Sequence, residues 1–101
     1  MGWATNYIEQ LLRGVTVHFR PRGNSMQPRI KSGQLCCVVP VGCAQDLQVG
    51  DVVLCRVRGS EYLHLIKAIQ QDRFQIGNNR GRINGWIGVN NIYGQLVKVE
   101  D

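Results

Sequence analysis

Acidic residues, histidines and long apolar runs are all scarce in this chain. No apolar stretch approaches the ~20 residues that span a bilayer. The N-terminus lacks the charged start, apolar stretch and small-residue cleavage site of an export signal. The expectation is therefore a soluble, non-exported, cytoplasmic protein with no transmembrane segment. Seven Asp and Glu stand against twelve Lys and Arg, a net charge of +5. That balance suits a polyanion, an acidic protein segment or an anionic surface. No run of five or six basic residues occurs, however, and the scattered charges read as a solvated surface. Aromatic residues make up 7%, with no cluster among basic residues on which bases would stack, which disfavours nucleic acid as the partner. The four cysteines, Cys36, Cys37, Cys43 and Cys55, form neither a disulfide framework nor a paired C-x-x-C zinc site. On a strand the adjacent Cys36 and Cys37 point to opposite faces, so reduced thiols are expected. With two histidines and no ligand spacing, neither a metal nor an organic cofactor is implied.

What is present describes one small domain. A length of 101 residues with 44% apolar content is enough for a single modest core and argues against disorder. Trp3, Tyr7, Ile8, Leu11 and Leu12 fall on one helical face, so residues 1–14 read as an N-terminal helix packed on the domain. Asn6 with Glu9 resembles a capping box, Thr5 is an alternative cap, and Gly14 is a natural stop. From Val15 the apolar pattern changes to period two, and residues 15–101 read as a single β domain. Strands are expected at Val15 to Arg20, Leu35 to Pro40, Asp51 to Val57, Glu61 to Ile69, Arg73 to Ile76 and Gly94 to Val99. Gly/Pro/Asn turn signals separate them. The Asn- and Gly-rich stretch Gly77 to Asn91 reads as a long loop with a brief strand near Trp86-Ile87. Short strands at such spacing predict a mostly β fold, a barrel or folded sheet.

The string Gly23-Asn24-Ser25-Met26-Gln27-Pro28 carries the most chemical information. Gly23 allows a sharp turn and Pro28 restricts the chain that follows. A serine on such a turn, flanked by free N–H groups, has the geometry of a nucleophile beside an oxyanion hole. The plainer reading is a serine that only makes a turn.

Gly-x-Ser-Met-x-Pro, followed by Ser32-Gly33-x-Leu35, resembles the nucleophile box of the LexA/signal-peptidase superfamily of serine peptidases. Val49-Gly50-Asp51-Val52-Val53 resembles the next element of that family. Tyr62-Leu63-His64-Leu65-Ile66-Lys67 resembles the strand that carries its general base. Gly77-Asn78-Asn79 and Gly94-Gln95-Leu96-Val97 resemble the two boxes that close it. The resemblance runs in order from about Arg20 to Val99. It implies a LexA/signal-peptidase-like β fold, with Ser25 as nucleophile and the Ser25 and Met26 N–H groups as oxyanion donors.

A serine hydroxyl needs a neighbour to take its proton. The family's base is a buried neutral lysine in most members and a histidine in others, and this strand offers both His64 and Lys67. Three apart, they point to opposite faces, so only one can face Ser25. Alignment puts His64 at the base position, and its ordinary pKa of ~6.5 suits a base at neutral pH. Lys67 is the second choice. Where the family's histidine users have an orienting Asp, this chain has Asn78, which can bond an imidazole but cannot neutralise imidazolium.

The expected activity is hydrolysis of a peptide bond of a protein substrate in trans. No Ala-Gly or Cys-Gly dipeptide precedes Ser25, so self-cleavage of the family's kind is not expected. The substrate is expected to add as a β-strand beside Val15 to Arg20, with Arg22, Gly23, Asn24 and Asn78 as substrate-binding residues. Arg20, Arg22 and Arg29 would favour acidic residues near the scissile bond, unless they are solubility charges. The alternatives are an inactive peptide- or protein-binding module on the same fold and a basic nucleic-acid-binding β domain.

Overall fold

A computed structural model describes residues 2–42 and 46–101. Helix α1 (Thr5–Leu12) precedes seven strands: β1 (Val17–Phe19), β2 (Leu35–Pro40), β3 (Val52–Val57), β4 (Ser60–Gln70), β5 (Arg73–Gly77), β6 (Ile83–Gly88) and β7 (Ile92–Glu100). A 3-10 turn, Val89–Asn91, leads into β7. The strands form one sheet in the order β1-β2-β7-β3-β4-β5-β6, and every pairing is antiparallel. Among the described residues β1 and β6 remain as edges, so the sheet does not close into a barrel.

The sheet carries a core on each face. Val52 and Leu54 of β3 join Leu63 and Leu65 of β4 beneath α1, while Val53, Cys55 and Val57 face the opposite way with Ile66, Phe74, Ile76 and Ile87. A strand covered on both faces loses the polar alternation of a half-exposed one, hence the near-continuous apolar run in β3. Leu54, Ile66 and Ile76 are among the largest fully buried side chains.

Helix α1 buries Ile8 and Leu11 but leaves Leu12 70% exposed, and Trp3, just before the helix, is 51% exposed. The helix docks at Gly94 of β7, where a Cβ would come within 2.5 Å of Val38 and 2.9 Å of Leu11. The expected capping box does not form, and no side chain of the helix caps its start at Ala4. Instead the Ala4 N–H donates to Glu61 Oε1 of β4 at 2.9 Å. A long-range carboxylate thus replaces a local cap, a charge that also suits the positive end of the helix. Gly14 ends the helical segment with φ +83, as its residue type suggests.

One segment departs from its sequence pattern. Residues 83–88, expected to be mostly loop, form a full strand paired with β5 from Arg73↔Gly88 to Gly77↔Ile83. Cross-strand pairing and the burial of Ile87 outweigh the weak strand propensity of Asn and Gly. Cys36 is buried, Cys37 is half-buried and both are free; Cys43 lies outside the described residues. Also among these residues, no helix is long and apolar enough to cross a membrane.

Candidate active site

The loop that carries Ser25 is anchored from below and from the side. Met26 and Ile30 sink into the core beneath α1, and the Ile30 N–H donates to the Met26 carbonyl at 3.0 Å. Gly23 takes φ +111, a left-handed value open to glycine at little cost, and its N–H donates to Ser32 Oγ at 3.1 Å. From the side, the Asn79 N–H donates to the Ser25 carbonyl at 3.0 Å, and Asn79 Nδ2 donates to the Gln27 carbonyl at 3.1 Å. These contacts fix the backbone of Ser25 against two separate parts of the fold.

Ser25 Oγ lies 3.3 Å from His64 Nε2. On the other side of the ring, His64 Nδ1 lies 2.7 Å from Asn84 Oδ1. An amide oxygen only accepts, so Nδ1 carries the proton and Nε2 is left with a lone pair directed at the serine hydroxyl. His64 is 7% exposed and stacks on Tyr62 with ring centroids 4.9 Å apart. Burial holds its pKa below the ordinary 6.5; the Asn84 bond works the other way, and the positive charge of Arg82 adds to the depression. These effects together favour the neutral imidazole, the form a general base requires. Asn84 comes from β6, the strand that residue composition disguised as loop. Its only sequence signal was an amide within an Asn/Gly-rich stretch.

Asn78 serves the same region differently. Its Oδ1 accepts the Arg80 and Arg82 N–H groups, each at 2.9 Å, which shapes the turn between β5 and β6. The imidazole's amide partner is Asn84, not Asn78. Lys67 sits at a bulge, where the β4–β5 register shifts between Ile66 and Ala68, and its Nζ donates to the Asn78 carbonyl at 3.2 Å. It braces the turn from which Asn79 reaches the Ser25 loop.

The Ser25 and Met26 N–H groups make no hydrogen bond to the backbone of any described residue. Ser25, Met26 and His64 open onto a cavity of about 420 Å³, which Arg20, Arg22 and Gly23 also line. Arg20 donates to the Gly33 carbonyl at 2.9 Å. Asn24 and Arg29 are exposed, and the Asn24 carbonyl accepts the Gln27 N–H at 3.2 Å. Burial pushes the Cys55 thiol up to about 12 and raises Cys36. Neither is a competing nucleophile at neutral pH. No group of three or more potential metal ligands occurs among the described residues.

No protein-family model matches this chain, and no curated protein matches it.

Proposed function

We propose that this chain is a serine endopeptidase that cleaves a protein substrate in trans, the reading its resemblance to the LexA/signal-peptidase superfamily implies. The observation that carries it is the line of contacts Ser25–His64–Asn84, at 3.3 Å and 2.7 Å. Ser25 Oγ attacks the carbonyl carbon of the scissile bond as its proton passes to His64 Nε2. The Ser25 and Met26 N–H groups donate to the oxyanion that forms. His64 then gives the proton to the leaving amine as the C–N bond breaks, leaving an acyl group on Ser25. Water, deprotonated by the same nitrogen, adds to the ester and releases the acid. Asn84 holds the tautomer throughout without supplying a negative charge.

Among the described residues edge strand β1 pairs with β2 alone, and its other side offers backbone groups to an extended substrate. Labelling with a small alkyl fluorophosphonate, read by intact mass, tests the reading. An adduct is expected on the wild type and on neither Ser25→Ala nor His64→Gln. No adduct on folded wild type, or an adduct that survives Ser25→Ala, overturns it. The neutral Asn84 favours a second reading, a peptide-binding module that does not cut, and absence of labelling together with retained peptide binding would select it.

A further inference from the structure

The cavity beside Ser25 is walled by the N-terminal segment, from Trp3 into helix α1. Trp3 and Tyr7 line it together with Phe19 at the end of β1. Tyr7 stacks on Phe19 with centroids 4.5 Å apart, and Trp3 meets Phe19 edge-on at 5.6 Å. Leu63, Met26 and Ile30 contribute further apolar lining. About 420 Å³ falls within the ~300–1,000 Å³ of sites that take small organic ligands. It far exceeds the roughly 30 Å³ of a single water. A methyl side chain would leave most of it wet.

The walls are also pinned. Trp3 Nε1 donates to the Glu61 carbonyl at 3.2 Å, and the start of α1 is held by the Glu61 carboxylate. Glu61 lies three residues before His64 on β4. The strand that supplies the proposed base thus also fixes the helix that supplies the aromatic wall. The pocket and the Ser25–His64 pair keep one geometry.

We infer that this cavity is the specificity pocket of the site and takes a large apolar side chain, aromatic or leucine-like, from a peptide residue flanking the bond that faces Ser25. The inference rests on the reading of Ser25 and His64 as the reacting pair. Phe19, on edge strand β1, lines the same cavity as Ser25, so a peptide paired with that edge would bring one of its side chains to the aromatic wall. Burying such a side chain among Trp3, Tyr7 and Phe19 gains both area and ring-on-ring contact, and a small residue forgoes both.

The test uses capped hexapeptides identical except for one central residue, Ala, Leu or Phe. Titration of the full chain carrying Ser25→Ala and Trp86→Phe follows the fluorescence of Trp3, then the one remaining tryptophan. Leu and Phe peptides are expected to bind at least ~10-fold more tightly than the Ala peptide, and Tyr7→Ala to shrink that ratio. The same peptides, added to wild-type protein, are expected to slow fluorophosphonate labelling in the same order. Equal affinity across the series, tighter binding of Ala, or no binding by any member overturns the pocket assignment. If the wild type never labels but Trp3 still discriminates Phe from Ala, the peptidase reading falls and the pocket stands. If labelling proceeds and no discrimination is seen, the reverse holds.

Discussion

His64 Nδ1–H donates to Asn84 Oδ1 at 2.7 Å, and this one contact fixes the tautomer in which Nε2, 3.3 Å from Ser25 Oγ, carries no proton. A neutral amide does so through a hydrogen bond alone, and lacks the negative charge by which a carboxylate would further stabilise an imidazolium in the proposed attack.

The pH–rate profile should record that difference. Burial depresses the His64 pKa below 6.5, so kcat/KM should rise with pH through a midpoint below ~6.5 and level off above it. Hydrolysis or fluorophosphonate labelling followed from pH 4 to pH 8 measures it. A midpoint at or above that of a free histidine would contradict the buried, neutral base.

Substitution at Asn84 should separate orientation from charge. Asn84→Ala frees the ring and should lower the rate by about one to two orders of magnitude, part of the ~10²–10⁴ that a positioned base contributes. Asn84→Asp keeps the acceptor and adds a charge, so it should move the acid midpoint upward while activity at pH 7 is kept or increased. If Asn84→Ala and Asn84→Asp behave alike, the contact has no part in tuning the base.

Stability should fall with pH in two windows. Between 6.5 and the lowered pKa of folded His64, the unfolded chain binds a proton that the folded chain does not, so stability drops as pH falls through that interval. Burial works against the Glu61 charge, but hydrogen bonds from Arg56, the Ala4 N–H and Thr5 outweigh it and hold its pKa below 4.5. A second loss should follow as pH falls from 4.5 toward that lower value. Urea melts should show His64→Gln flattening the upper window and Glu61→Gln the lower one.

Removing the Glu61 carboxylate should loosen α1. Its side chain is 1% exposed, 2.7 Å from an Arg56 side chain that is itself 38% exposed. Arg56 can turn to water, whereas the Ala4 N–H cannot easily do so. Glu61→Ala should therefore cost about 1–3 kcal/mol, with faster hydrogen exchange in residues 5–12. Unchanged exchange there would mean that packing alone holds the helix.

Gly94→Ala should destabilise the same helix by the opposite route. The new Cβ would press on Val38 at 2.5 Å and Leu11 at 2.9 Å, an overpacking worth about 1–3 kcal/mol. Val38→Ala in the same chain should recover part of the loss, giving a favourable coupling in a double-mutant cycle. Strictly additive effects would show that the chain relaxes elsewhere.

The sequence by itself determined the short helix, the mostly β character and the strands from Leu35 to Ile76. Apolar periodicity is local and survives in one dimension. Ser25 and His64 were marked by the resemblance of Gly23 to Pro28 and of Tyr62 to Lys67 to the boxes of a peptidase superfamily, since a serine in a Gly/Pro turn or a histidine on an apolar strand is not distinctive by itself. The sequence misassigned what depends on partners distant in the chain. The helix start looked like a self-capping box around Asn6, yet its cap is the carboxylate of Glu61. Residues 83–88 looked like loop, since strand character there comes from pairing with β5 rather than from side-chain preference. With that strand hidden, the amide facing His64 could be read as Asn78 when it is Asn84. Only tertiary structure decided which amide reaches the imidazole, where Lys67 points and that Trp3, Tyr7 and Phe19 wall the space beside Ser25. Each of these depends on register and docking between elements, which the order of residues alone does not encode locally.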